Sequence, residues 1–173
     1  MKPSRLRFNL GFLLEADFGT SRAIELDYPE VKLSDDVTLA PLQGTIAVTR
    51  TTEGIYIQGN LESAMTLECT RCLEDAEVPV RADIDELYYY PPQNAPAGEN
   101  RVGEDGMLDL APLVRELSLL SLPIRVLCRP DCQGLCQECG ANLNLGDCGC
   151  ESSEIDPRLS TLAELLKTQT SNN

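Results

Sequence analysis

The chain has no histidine, and that absence removes more chemistry than any other feature of its composition. Without imidazole there is no Ser-His-Asp or Cys-His catalytic pair, no histidine base and no nitrogen ligand for a metal. Any metal site must be built from sulfur alone, or from sulfur with carboxylate. Long apolar runs are missing too. Nowhere do about 20 consecutive apolar residues occur, the length that a membrane-spanning helix needs. The N-terminus opens with Lys2, Arg5 and Arg7, as a signal peptide would, but the apolar run Leu10–Leu14 is too short. It stops at Glu15 and offers no small-residue cleavage site. A soluble cytoplasmic protein is therefore expected. Basic charge is scarce as well: 14 Lys and Arg stand against 28 Asp and Glu, a net charge of −14. Such a field opposes broad, sequence-blind attraction to nucleic acid or anionic lipid. Any RNA contact has to be local.

What is present reads first as β structure. Ile24, Leu26 and Tyr28 alternate with polar residues, and Val31 and Leu33 follow Pro29. Thr45–Thr51 is rich in β-branched residues, and Glu53-Gly54 turns the chain into Ile55-Tyr56-Ile57, a hairpin signal. Met65, Leu67 and Cys69 continue the period of two; after a turn at Leu73 to Asp75, so do Val78, Val80, Ala82 and Ile84. Residues 91–106 carry Pro, Gly, Asn and Glu and read as a mobile loop. A helix over 109–121 follows, with Asp109 as N-cap, Pro112 in the first turn and Pro123 as the stop. Its apolar face is Leu110, Leu113, Val114, Leu117 and Leu120. The expected fold class is α+β, mostly β: an antiparallel meander or partly open barrel with one packing helix. Residues 1–127 form that core domain, 128–151 a cysteine zinc-knuckle appendage, and 152–173 a short helix with a frayed tail. That last helix is capped by Asp156-Pro157 and contains Leu159, Leu162 and Leu166.

Six of the eight cysteines lie in the appendage: Cys128, Cys132, Cys136, Cys139, Cys148 and Cys150. Two residues between Cys136 and Cys139 let a tight turn aim both sulfurs at one tetrahedral ion, whose bonds to sulfur are about 2.3 Å. Gly140 can take the positive φ that brings the next amides towards the thiolates. Cys148-Gly-Cys150 adds one or two ligands after an eight-residue excursion in which Asn142 and Asn144 suit turns. Zinc is the expected ion. Disulfides would need an oxidising compartment, an iron–sulfur cluster is chemically open to four cysteines, and dithiol exchange needs fewer sulfurs than are here. One ligand set is Cys136, Cys139 and one of the last pair, completed by Cys132 or by the other member. A second set joins the earlier pair Cys69-Thr70-Arg71-Cys72 to Cys128 and Cys132. Surplus ligands and no histidine point to a closed structural site rather than a catalytic one with an open position.

The ordered set Leu67-Glu68-Cys69-Thr70-Arg71-Cys72-Leu73, the alternating strand with Tyr88-Tyr89-Tyr90, Leu108-Asp109-Leu110 with Glu116, Leu119, Leu122 and Pro123, and Cys132-Gln-Gly134-Leu135-Cys136-Gln-Glu-Cys139-Gly140 resembles the YceD family. Its members are called large ribosomal RNA subunit accumulation proteins. The resemblance runs roughly from residue 10 to 166. It implies a non-enzymatic role in synthesis, processing or accumulation of large-subunit ribosomal RNA. Some relatives keep the first cysteine pair without the appendage, which implies that the appendage is not the whole of the shared function. The partner is then that RNA or a basic ribosomal protein, with no small-molecule substrate. Arg71, Arg125 and Arg129 are the local cationic candidates for contact. The alternative is an enzyme, either a thiol redox protein using Cys69 and Cys72 or a metal-dependent nuclease. Of its nearby carboxylates, Asp83 and Asp85 share a strand face.

Overall fold

The computed structural model describes residues 6–150, so the expected C-terminal helix and the N-terminal basic residues Lys2 and Arg5 lie outside the described residues. Contacts divide the chain into two compact units. One comprises Met1–Cys69 and Glu74–Cys128, the other Thr70–Leu73 and Arg129–Asn173.

The first unit is α+β and mostly β. Its centre is a four-stranded antiparallel sheet in the order β2 (Ser21–Tyr28), β5 (Leu42–Arg50), β6 (Gly54–Glu68), β7 (Asp75–Tyr89). Of the two expected architectures the meander is the one that forms: β2 and β7 are edges, and the sheet stays open. The registers follow from the turns. The four residues Thr51–Gly54 set Arg50 opposite Ile55, and β6 and β7 pair over their full length from Gly54↔Tyr89 to Glu68↔Asp75. Alternation decides which face is buried. Val78, Val80, Ala82 and Ile84 point inward at 6% exposure or less, while Glu77, Arg81, Asp83 and Asp85 face solvent. A small hairpin, β3 (Val31–Lys32) with β4 (Thr38–Leu39), fills the connection between β2 and β5.

The other face of the core is closed by short pieces. β1 (Arg7–Asn9) pairs with β8 (Met107–Asp109), and the four-residue helix α1 (Gly11–Leu14) buries Leu13. Helix α2 (Ala111–Leu120) packs on β7 through Leu110, Ala111, Val114 and Ser118. Asp109 Oδ1 accepts the Ala111 amide at 2.9 Å, which is the capping role its sequence position suggests. Two expectations need correction here. Leu120 is 75% exposed rather than packed, because the helix turns Val114 and Ser118 to the sheet and Leu120, two residues beyond Ser118, falls on the other side of the helix. Residues 100–106 of the expected mobile loop are also tied down. The Tyr89 amide donates to Asn100 O, the Val102 amide donates to Tyr89 O, and Val102 is fully buried. No helix among the described residues is long and apolar enough to cross a membrane.

The second unit has no comparable apolar core among its described residues. Its buried positions are Cys72, Cys132 and Gly134, while Leu73 and Leu145 are 60% and 85% exposed. Backbone contacts shape it locally. Leu135 bridges Asn142, the Cys136 amide donates to Ala141 O, and the Leu143 amide donates to Gly134 O.

Candidate metal centres

The structure gathers all eight cysteines into two groups of four. The first is Cys69, Cys72, Cys128 and Cys132; the second is Cys136, Cys139, Cys148 and Cys150. Within each group the four sulfurs all lie within 4.8 Å of one another. A tetrahedral ion with bonds of about 2.3 Å sets its sulfurs about 3.8 Å apart, so both groups have the dimensions of a four-sulfur site.

The first group begins where β6 ends. The Cys69 amide donates to Glu74 O at 2.8 Å, closing a turn in which Leu73 takes a left-handed φ of 61°. Holding a leucine there costs on the order of 1 kcal/mol, a strain consistent with a turn shaped by something other than its own propensity. Cys69 and Cys132 are fully buried and Cys72 is nearly so. Arg71, between the two cysteines of the turn, is fixed at both ends. Its carbonyl accepts the Leu135 amide at 3.1 Å, and its guanidinium donates to Cys132 O at 2.5 Å.

The second group follows from two tight turns. Gly140 takes φ +72°, and its amide donates to Cys136 O at 2.9 Å, folding the chain back after Cys139. The Cys139 and Glu138 amides point at the Cys136 sulfur and, with Cys148, hold that thiol down to about 7. Cys150 is pushed up to about 12, first by the Cys139 sulfur and then by Cys148. The two shifts have one meaning: four sulfurs this close stabilise a single thiolate by hydrogen bonding and resist a second negative charge. A bound cation reverses that penalty and deprotonates coordinating thiols. The donor set therefore fits a divalent ion, to which the four thiols would supply a full tetrahedral set.

More than half of the chain, residues 57–166, matches the family model described as Large ribosomal RNA subunit accumulation protein YceD. The chain belongs to the YceD family. Both cysteine groups lie inside the matched span. An uncharacterised protein of Mycobacterium tuberculosis is 34% identical over 125 residues, covering 70% of this chain and 60% of that one. The Arabidopsis thaliana protein named large ribosomal RNA subunit accumulation protein YCED homolog 1, chloroplastic, is 25% identical over 190 residues, covering 92% and 59%. The uncharacterised protein YlbN of Bacillus subtilis is 27% identical over 109 residues, covering 62% and 63%. The chain thus spans about three fifths of the length of these curated relatives. No solved structure matches it.

The other residues singled out by sequence fall in varied settings on this YceD chain. Arg71 is committed to the cysteine scaffold through Cys132 O. Arg129 lies 3.6 Å from Asp131, and Arg125 is exposed. Asp83 accepts Arg81 Nε at 2.8 Å and Asp85 accepts the Tyr56 hydroxyl at 2.5 Å, so both carboxylates hold neighbours on the sheet face. One residue beside the first cysteine group was missed as a contact. Asn144 Nδ2 donates to the Cys132 sulfur at 3.4 Å and to Asn142 Oδ1 at 2.8 Å, while its own Oδ1 accepts the Gln133 amide. The signal was available, since an amide side chain in a cysteine-rich turn is a ready donor to thiolate.

Proposed function

We propose that this protein is a non-enzymatic biogenesis factor of the large ribosomal subunit, supporting synthesis, processing or accumulation of its RNA in the cytoplasm. In this reading two zinc ions serve as structural staples. The observation that carries it is the family match over residues 57–166, together with the name of the Arabidopsis relative. Zinc is favoured within the metal reading because each donor set is closed and purely sulfur. A closed four-cysteine site needs no redox change at the ion and supplies folding energy directly. The non-enzymatic reading is supported by the engagement of Asp83 and Asp85 with Arg81 and Tyr56. A metal-dependent nuclease needs clustered carboxylates around an open ion instead.

Crosslinking in cells, followed by sequencing of bound RNA and identification of bound protein, tests the role. Large-subunit ribosomal RNA or a basic ribosomal protein is the expected catch; recovery of neither overturns the proposal. Elemental analysis of native protein tests the ion, with zinc expected at two equivalents and iron counting against it.

A further inference from the structure

We propose that the groove beside helix α2 seats a cationic amphipathic helix of a protein partner. The sheet takes only one side of α2. The flank beside that face carries Leu113, Leu117 and Leu120 at the spacing i, i+4, i+7, a stripe roughly 10 Å long along the axis whose first two leucines also pack against the core. Leu113 and Leu117 are half-buried and Leu120 is 75% exposed. These three line one wall of a groove of about 760 Å³, whose other walls come from β1, β7, β8 and residues 99–101. A shallower hollow of about 390 Å³ on the far side of the helix shares Pro112, Glu116 and Leu120 with it. A partly exposed apolar stripe two turns long, flanked by hollows, matches the helix-in-groove mode of recognition. An added strand is disfavoured at this end of β7, because both Tyr89 backbone groups already bond to residues 100 and 102.

Charge selects the partner. Glu86, Glu99, Asp109 and Glu116 border the groove against two cations, Arg7 and Arg101, and Arg7 lies 3.8 Å from Asp105. The field is felt inside: the Tyr88 hydroxyl is pushed up to about 12, first by burial and then by Glu86 and Asp109. With a net charge of −14, phosphate is repelled, while a lysine- or arginine-rich helix bearing apolar anchors meets both features at once. The inference gives the biogenesis role a protein-binding surface and rests on that role only for the identity of the natural partner.

The test uses the full metal-loaded chain and two synthetic peptides of about five helical turns and equal charge. One carries leucines at i, i+3, i+4 and i+7 among lysines; the other has glutamine in place of leucine. The leucine peptide is expected to bind at least about tenfold more tightly than its control. Leu120→Asp is expected to weaken it about tenfold despite adding a negative charge, and Glu116→Lys to weaken it and flatten the salt dependence. Equal binding of the two peptides, or tighter binding to the Leu120→Asp variant, would show charge attraction alone and overturn the proposal. So would dimerisation of the chain that Leu120→Asp abolishes, which assigns the stripe to a second copy. These are purified-component measurements, so their failure is separate from failure of the crosslinking test in cells.

Discussion

A cysteine sulfur is an apolar group until a cation or a hydrogen bond makes the thiolate the favoured form, and the eight here sit in two different settings. Cys69, Cys72 and Cys132 of the first group are buried and its Cys128 is exposed, while in the second Cys139 and Cys150 are exposed and Cys136 and Cys148 half-buried. Each group is complete with four sulfurs, so removing one sulfur should cost one ion and leave the other. Elemental analysis of Cys132→Ser and of Cys139→Ser should each find one zinc, against the two expected for the parent. Loss of both ions from either variant would mean that the groups bind as one unit. Asn144 tests the surroundings of the first group. It donates to the Cys132 sulfur, and a donor to a metal-bound thiolate orients it and offsets its charge. Asn144→Ala should weaken retention of one ion by about 10- to 100-fold in competition with a chromogenic chelator, with the second ion unaffected.

At the scale of elements, the long strands depend on close backbone approach as well as on alternation. A Cβ placed on Gly59 of β6 would lie 2.3 Å from Thr45 O and 2.7 Å from Ile46 Cα in β5. Gly59→Ala should therefore force β5 and β6 apart and destabilise the first unit by about 1–3 kcal/mol, measured by urea unfolding of the metal-loaded protein. The strands were legible because a period of two survives over long spans, and Val78 to Ile84 show it on both faces. The hairpin at Glu53-Gly54 was legible for its turn chemistry. The three-residue strands β1 and β8 and the four-residue α1 were not, since no period can be read over so few residues. Val102 was missed for a related reason: one apolar residue in a polar segment gives no pattern, yet it is fully buried. The cysteine spacing left open which partners each pair would take. That choice belongs to tertiary placement, which brings residues 69–72 beside 128–132.

For the whole molecule, the two units differ in what can hold them folded. The first buries 23 apolar side chains in one cluster, each stabilising by roughly 1–3 kcal/mol when well packed. Among its described residues the second has no such cluster; turns, a single bridge and its cysteines are what order it. In a segment of that kind the binding energy of the ion is its folding energy, about 10–16 kcal/mol for structural zinc near neutral pH. A strong chelator at neutral pH should therefore release the ions and unfold residues 129–150 while the sheet persists. Amide hydrogen exchange separates these outcomes. The amides of Leu135, Cys136, Gly140 and Leu143, all bonded to backbone carbonyls now, should lose protection, and those paired between β5, β6 and β7 should keep it. Acid should do the same without a chelator. Protons compete with the ion for thiolate, so affinity falls as pH falls, and the loss must run in that direction. Protection at Cys136 and Gly140 that survives complete removal of the metal would show that the backbone contacts suffice. The sulfur groups would then be dispensable for folding the segment.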